Sequence, residues 1–435
     1  MRVAIIGAGL TGLSAALKLQ DKCQVRLFES ASKCGGLSKT ESRDGFHFDY
    51  TGHFLHFNDS EVKAKVNSLL GERLLEVTRK SYIDSSGSMV PYPFQPHLYY
   101  LPEKTRRTCL LEFLQAVKES KPDETLESFY DWILSRFGEG IAREFMLPYN
   151  EKLWGVHPSE MNTEWMGRFV PRPSTEEVLA RTLSPSSMAT GYNASFHYPK
   201  GGIRELTEML ASRLNEGVLY LNTPIKKVDS KARRLTYEGG DFEYDYLIQS
   251  LPLKEFVLDV LKDPGELKHE AEKLRASSLL NVNIGWEGGM GSRVPEGTHW
   301  IYFPDKKISF YRVGFPSTVS SSLAPEGASS CYTEISYPSG GLPESKDFSR
   351  IEEKVIEDLI FTGIIPEESQ ILTRMTLPID PAYVIYDDKR REALEKIIPE
   401  LETKGILCGG RYGAWEYSTM EEAILWGERL AEKCL

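Results

Sequence analysis

The residues most able to do chemistry begin within the first dozen positions. Ile5-Ile6-Gly7-Ala8-Gly9-Leu10-Thr11-Gly12 sets three glycines at G-x-G-x-x-G spacing, directly after a β-branched run and opening an apolar-periodic segment. Gly7 permits a tight turn and Gly9 lets backbone amides approach a pyrophosphate. Gly12 lets a helix pack close to a strand, and the helix N-terminus favours the phosphate charge. Glu29 ends the next strand-like run, where a carboxylate accepts ribose hydroxyls. Together they predict a dinucleotide site. Two arginines predict a second anion. Arg312 falls in an apolar strand pattern, where an unpaired charge is costly, so it needs an anion or a carboxylate. Arg411 lies beside glycines and aromatics, and the pair suits a diphosphate, with Tyr383 and Tyr417 hydroxyls as further donors. His53, in Tyr50-Thr51-Gly52-His53, is a loop histidine with His56 three residues on. No carboxylate or third ligand is placed beside them, so no metal site is expected.

These groups need a scaffold. Arg2–Ile6, Leu10–Gln20 and Gln24–Phe28 read as strand, helix and strand. Residues from about 60 to 190 carry helical patterns, interrupted by a strand-like piece at Ser81–Val90. Strand patterns return at Val218–Tyr220, Ile225–Val228, Arg234–Glu238 and Tyr244–Ser250. They continue at Asn281–Trp286, Thr298–Phe303, Ile308–Val313 and Ser330–Tyr337. A helix (Arg350–Phe361), a strand (Ile371–Leu377), a helix (Lys389–Ile397), a strand (Gly405–Cys408) and a helix from about Glu421 follow. The expected fold class is α/β: a Rossmann-like nucleotide domain with an inserted helical domain and an antiparallel β-sheet domain. The segmentation gives 1–80, 191–265 and 396–435 to the nucleotide domain, 81–190 to the helices and 266–395 to the antiparallel sheet.

Length and charge narrow the partners. The 435 residues are 41% hydrophobic and 26% charged, enough for a sizeable core. A formal charge of -11 argues against duplex nucleic acid or a membrane surface as the main partner. Glycines break the Val3–Leu19 run, so it does not read as a signal peptide, and no apolar stretch reaches the ~20 residues of a membrane span. Six scattered cysteines without a C-x-x-C pair read as free thiols. A cytoplasmic protein is expected.

Glu29-Ser30-Ala31-Ser32-Lys33-Cys34-Gly35-Gly36-Leu37 resembles the second glycine motif of FAD-dependent amine oxidases and their relatives. That resemblance implies FAD rather than NAD, with Ser30, Lys33, Gly36 and Leu37 around the pyrophosphate; Lys33 stands where arginine is commoner. Val218–Val228 resembles the strand pair whose valine, here Val228, meets the adenine through its backbone. Gly409-Gly410-Arg411, with the helix entered at Met420, resembles the segment that closes over the flavin. Thr11, Gly52 and His53 join the implied cofactor contacts.

Further islands resemble UDP-galactopyranose mutase of the eukaryotic type: Val90–Gln95, Pro148–Trp154, Met161–Trp165, Asn193–Gly202, Phe310–Arg312, Tyr383 and Gly410–Tyr417. By that likeness Arg312 and Arg411 hold a diphosphate and His53 lies against the flavin. Tyr92, Gln95, Asn150 and Trp154 hold uridine, Tyr383 and Tyr417 assist, and Asn193 lies on the sugar side. The implied reaction interconverts UDP-galactopyranose and UDP-galactofuranose on reduced FAD through a flavin N5–sugar adduct, with NADH or NADPH as reductant. The chain departs from the pattern at Trp165-Met166-Gly167-Arg168-Phe169, where Phe169 takes the family's mobile-loop arginine position. Arg168, Arg172 and Arg181 are the candidate substitutes, and Thr419 stands where bacterial mutases carry aspartate. The rival reading is an oxidoreductase of the amine oxidase or protoporphyrinogen oxidase type, which implies an apolar cavity without paired arginines. The sugar and the oligomeric state are left open.

Overall fold

Val3, Ala4, Ile5 and Ile6 are all buried, because their strand is the middle of a five-stranded parallel sheet. Gln24–Phe28 pairs on one side and Tyr246–Gln249 on the other, with Leu219–Tyr220 and Ile406–Cys408 at the edges. A parallel strand covered on both faces reads as a continuous apolar run, which is what these residues show. The computed structural model describes residues 1–85, 87–167, 169–185 and 194–435. The five strands come from separated stretches of chain, so the nucleotide domain is assembled across the inserted material, and the α/β expectation holds.

Glycine contacts fix how this domain closes. A Cβ on Gly12 would sit 1.9 Å from the Gly7 carbonyl oxygen, so the Leu10–Leu19 helix can start this close to the turn only without a side chain there. The helix Met420–Lys433 crosses Leu10–Leu19 at Gly427, where a Cβ would lie 2.2 Å from Thr11 O. Its start is held by a capping box in which Thr419 accepts from the Glu422 amide and Glu422 from the Thr419 amide.

A seven-stranded sheet forms the second layer, in the order Ile371–Ile379, Ser278–Glu287, Ala328–Tyr337, Arg312–Gly314, Trp300–Tyr302, Ser81–Ser85, Ser88–Pro91. Along Ser278–Glu287 the residues Leu280, Val282, Ile284 and Trp286 pack with Val355 and Leu359 of the helix Phe348–Phe361. Asn281 and Asn283 alternate onto the other face, where Asn281 Nδ2 donates to the Asp49 carbonyl at 2.8 Å. The hairpin at 81–91 corrects the segmentation. It pairs parallel with Trp300–Tyr302 and so belongs to this sheet rather than to the helices. The expected strand Ile308–Val313 is also shorter than read. Pairing starts at Arg312, because the carbonyls of Ile308 and Phe310 turn away to the Lys152 ammonium.

The helices Glu103–Lys118, Phe129–Ile141, Leu147–Trp154 and Thr175–Leu183 pack around Trp132, Phe137 and Phe145. Five strands had no sequence signal: the hairpin Thr40–Arg43 with Phe46–Asp49, the pair Leu74–Thr78 with Ser195–Pro199, and Gly240–Glu243. No helix among the described residues is long and apolar enough to cross a membrane.

The Gly427 crossing gives a stability prediction. Gly427→Ala forces the two helices apart and should cost about 1–3 kcal/mol. A thermal melt that matched the parent protein would show that this crossing has slack.

Candidate active site

A cavity of about 600 Å³ runs from the first βα turn to the inner face of the seven-stranded sheet. At one end Gly9 is the N-cap of the Leu10–Leu19 helix and offers no side-chain cap, so the first amides of the helix have no side-chain acceptor of their own. Gly7 turns there at φ +96°, a conformation that side-chain-bearing residues rarely adopt. Glu29 is locked beside it, accepting from Ala8 N at 2.8 Å and Ala31 N at 2.9 Å. Gly36, Leu37, Gly52, Gly410 and Met420 line the same cavity. A Cβ on Gly410 would lie 2.4 Å from Thr11 Oγ1, so this glycine lets the late segment close onto the first helix. Thr11 also lines the cavity, and its hydroxyl donates to Ala423 O at 3.0 Å. An uncapped helix start, the glycines Gly7, Gly9, Gly36, Gly52 and Gly410, and a fixed carboxylate on one cavity fit a dinucleotide.

Four implied cofactor residues lie off the cavity. Gly12 serves packing, Ser30 Oγ donates to Glu29 Oε1 at 3.3 Å, and Lys33 is exposed. Val228 is fully buried and its carbonyl accepts from Lys262 N at 2.8 Å, so that oxygen is already committed to the protein's own backbone.

At the other end the two arginines are present and differently held. Arg312 donates through Nη2 to Glu334 Oε1 at 2.5 Å, and Tyr311 Oη donates to the second oxygen of the same carboxylate. Glu334 has 0% exposure, so it is the carboxylate partner the sequence required of Arg312. The Nε of Arg312 has no partner among the described residues. Arg411 has no carboxylate partner among the described residues. Its Nη atoms reach the Ser418 and Ala382 carbonyls at 3.4 and 3.5 Å, and its Nε is unpartnered. Its guanidinium carbon lies 5.1 Å from the Tyr383 ring centre and 5.0 Å from that of Tyr417. Burial raises the hydroxyl pKa of Tyr92, Tyr383 and Tyr417, keeping all three as hydrogen-bond donors. His53 lines the same cavity and feels both charges. Burial first, then the positive fields of Arg411 and Arg312, push its pKa down to about 4, so it is neutral at physiological pH.

The remaining candidates divide. Tyr92 lines the cavity, its ring 5.2 Å from that of Tyr302. Gln95 and Asn150 line it too; Gln95 Oε1 is buried without a partner among the described residues, while Asn150 Nδ2 donates to Met146 O at 2.7 Å. Trp154 does not line the cavity directly. It is buried behind the lining, donates to Asn150 Oδ1 at 3.3 Å and packs on Trp165, Tyr383 and Tyr417. Asn193 and Arg168 lie outside the described residues. Neither Arg172 nor Arg181 reaches the cavity: Arg172 pairs with Asp123 at 3.1 Å, and Arg181 with Glu177 at 3.3 Å. Phe169 does line it, its ring 4.7 Å from that of Tyr417, so an aromatic closes the wall where the family has arginine.

Sequence reasoning missed Arg79, Phe54, Phe145, Tyr149 and Tyr302, all on the cavity. Tyr149 adjoins Asn150 inside a motif already singled out. Arg79 belongs to no motif, and its guanidinium carbon lies 4.9 Å from the Tyr92 ring centre.

Comparison with known proteins agrees with this geometry. The structure superposes on that of reduced UDP-galactopyranose mutase with a TM-score of 0.93 and 29% identity, covering 100% of this chain and 95% of that one. A protein from Exiguobacterium provisionally assigned as a protoporphyrinogen oxidase superposes with a TM-score of 0.76 at 17% identity, over 100% of this chain and 98% of the other. In sequence, protoporphyrinogen oxidase 2 of Arabidopsis thaliana is 24% identical over 286 residues, 58% of this chain and 54% of that protein. The curated relatives are thus matched over about half their length. Residues 10–435 match the model of flavin containing amine oxidoreductases. With the nucleotide cradle and that match together, the chain belongs to the flavin containing amine oxidoreductase family and is a flavoenzyme whose cofactor is FAD.

Proposed function

We propose that this flavoenzyme is a mutase that interconverts UDP-galactopyranose and UDP-galactofuranose, or the two ring forms of a closely related nucleotide sugar. The observation that carries the reading is the pair Arg312 and Arg411, both close enough to His53 to depress its pKa, in the same cavity as the cofactor cradle. An oxidase of apolar substrates has no use for two half-buried guanidinium groups at that place. The chemistry FAD supplies when bound and reduced is nucleophilic displacement at the anomeric carbon of the sugar.

The protein's own part is to hold the diphosphate while negative charge builds on it. Arg312 is pre-aimed by Glu334 and Tyr311, so little reorganisation accompanies that charge. Arg411 rests on tyrosine rings and keeps its charge uncompensated by carboxylate, which leaves it available to the second phosphate. Tyr383 and Tyr417 donate hydrogen bonds as neutral phenols. Neutral His53 adds no third positive charge beside the flavin. Phe54, Phe145, Phe169 and Trp165 exclude water from the wall.

The reaction is tested by incubating the dithionite-reduced protein anaerobically with UDP-galactofuranose and separating the ring forms by chromatography. Conversion is expected with reduced and not with oxidised protein. Oxygen consumption without UDP binding would instead favour an oxidoreductase, the activity named for the curated sequence relatives.

Arg312→Ala should weaken UDP binding roughly a hundredfold, about 2.7 kcal/mol, because it also strands Glu334 in the interior. FAD content should be unchanged. Unaltered UDP affinity would remove Arg312 from the diphosphate site.

His53 also predicts a pH response. A histidine whose folded pKa lies below its unfolded value binds fewer protons folded than unfolded between about 4 and about 6.5. Stability attributable to it is therefore present above that window and lost as pH falls through it. His53→Gln should lose less stability than the parent between those limits, read from paired denaturation curves. Parallel curves would show that His53 is solvated and titrates normally.

A further inference from the structure

Lys152 takes no part in the steps above, yet its surroundings are those of a bound cation. Its Nζ donates to the carbonyl oxygens of Phe303, Asp305 and Ile308 at 2.9 Å each and of Phe310 at 2.6 Å. All four belong to the loop joining the strands Trp300–Tyr302 and Arg312–Gly314. No carboxylate among the described residues is hydrogen-bonded to this ammonium. An ammonium has three donors, so four carbonyls exhaust it. Conversely, four carbonyl oxygens aimed at one point repel each other unless a positive charge lies among them. The curvature of this loop therefore depends on the cation inside it.

The two ends of the loop are cavity residues, Tyr302 and Arg312. Lys152 stands on the same helix as Tyr149, whose ring lies 5.1 Å from that of Tyr302 and 6.1 Å from that of Tyr311. The helix thus meets the loop through an aromatic contact on the cavity side and through the ammonium away from it. The exposed Lys306–Glu151 pair at 2.7 Å adds little beside this. Asp305 of the loop and Asp358 of the helix Phe348–Phe361 also face the ammonium. Asp358 is itself engaged by Ser309 N at 2.8 Å and Lys354 at 2.7 Å.

We propose that Lys152 is a positioning residue for the diphosphate: an internal cation that shapes the 303–310 loop and so sets Arg312 against the Leu147–Trp154 helix. This deepens the mutase reading and rests on it for the identity of the anion.

The test uses the FAD-loaded protein and UDP as probe. Lys152→Ala removes Cγ to Nζ, the shape of n-propylammonium. UDP affinity should fall roughly ten- to a hundredfold, the scale of a small misplacement of a binding group. Added n-propylammonium should restore it, while 1-propanol, which fills the space without charge, should not. In an Arg312→Ala background the same exchange should change UDP affinity less than about twofold, because the residue it positions is gone. Lys152→Met, neutral and of similar length, should show the same loss with FAD content and melting temperature nearer the parent, which guards against an Ala variant that does not fold. Equal losses in both backgrounds, or rescue by propanol as good as by propylammonium, would overturn the proposal and leave Lys152 as a space-filling residue. Absence of UDP binding by the parent protein would overturn the mutase reading and this inference with it. Parental binding without coupling to Arg312 would overturn this inference alone.

Discussion

Keeping a guanidinium group out of water is costly unless its charge and its donors are met, and the construction of this cavity follows from that constraint. Arg312 is met by a carboxylate that is itself fully buried and needs two donors of its own, which Tyr311 and Arg312 supply. Arg411 is met by tyrosine faces and two backbone carbonyls, a weaker arrangement that leaves positive charge over. Burial first, and then the same two charges, keep His53 neutral and couple the histidine loop electrically to both arginines. A site built this way is already attractive to an anion before any ligand arrives.

The fold was legible where one residue type serves one physical need. The first βα turn demands glycines by sterics, and a strand covered on both faces must be apolar. Both signals survive in a bare sequence. Arg312 was legible for the same reason, since a charge inside an apolar run has few explanations. Trp154 was not. A tryptophan beside Asn150 on one helix can face the cavity or support it, and helical spacing alone does not choose. The surroundings of Val228 were not legible either. Which carbonyl of a strand is free depends on a partner more than thirty residues away, here Lys262.

The clearest disagreement lies at Ile308–Phe310, where alternating apolar residues read as strand and the chain instead bends. Local pattern favours extension, but the backbone carbonyls answer to a cation on a helix that sequence places about 150 positions earlier. Arg79 illustrates a different gap. Its place on the cavity follows from the pairing of Leu74–Thr78 with Ser195–Pro199, and that pairing has no local signature.

The parallel sheet that carries the FAD cradle has consequences for how the protein is made. Its edge strand is Ile406–Cys408, and the cavity wall is completed by Gly410, Arg411 and Met420. A ribosome holding the nascent chain at residue 400 therefore exposes the glycine turn and Glu29 without the segment that completes the cavity wall. The cofactor can be enclosed only after nearly the whole chain has emerged. Until then the strand Tyr246–Gln249 lacks its neighbour on that side.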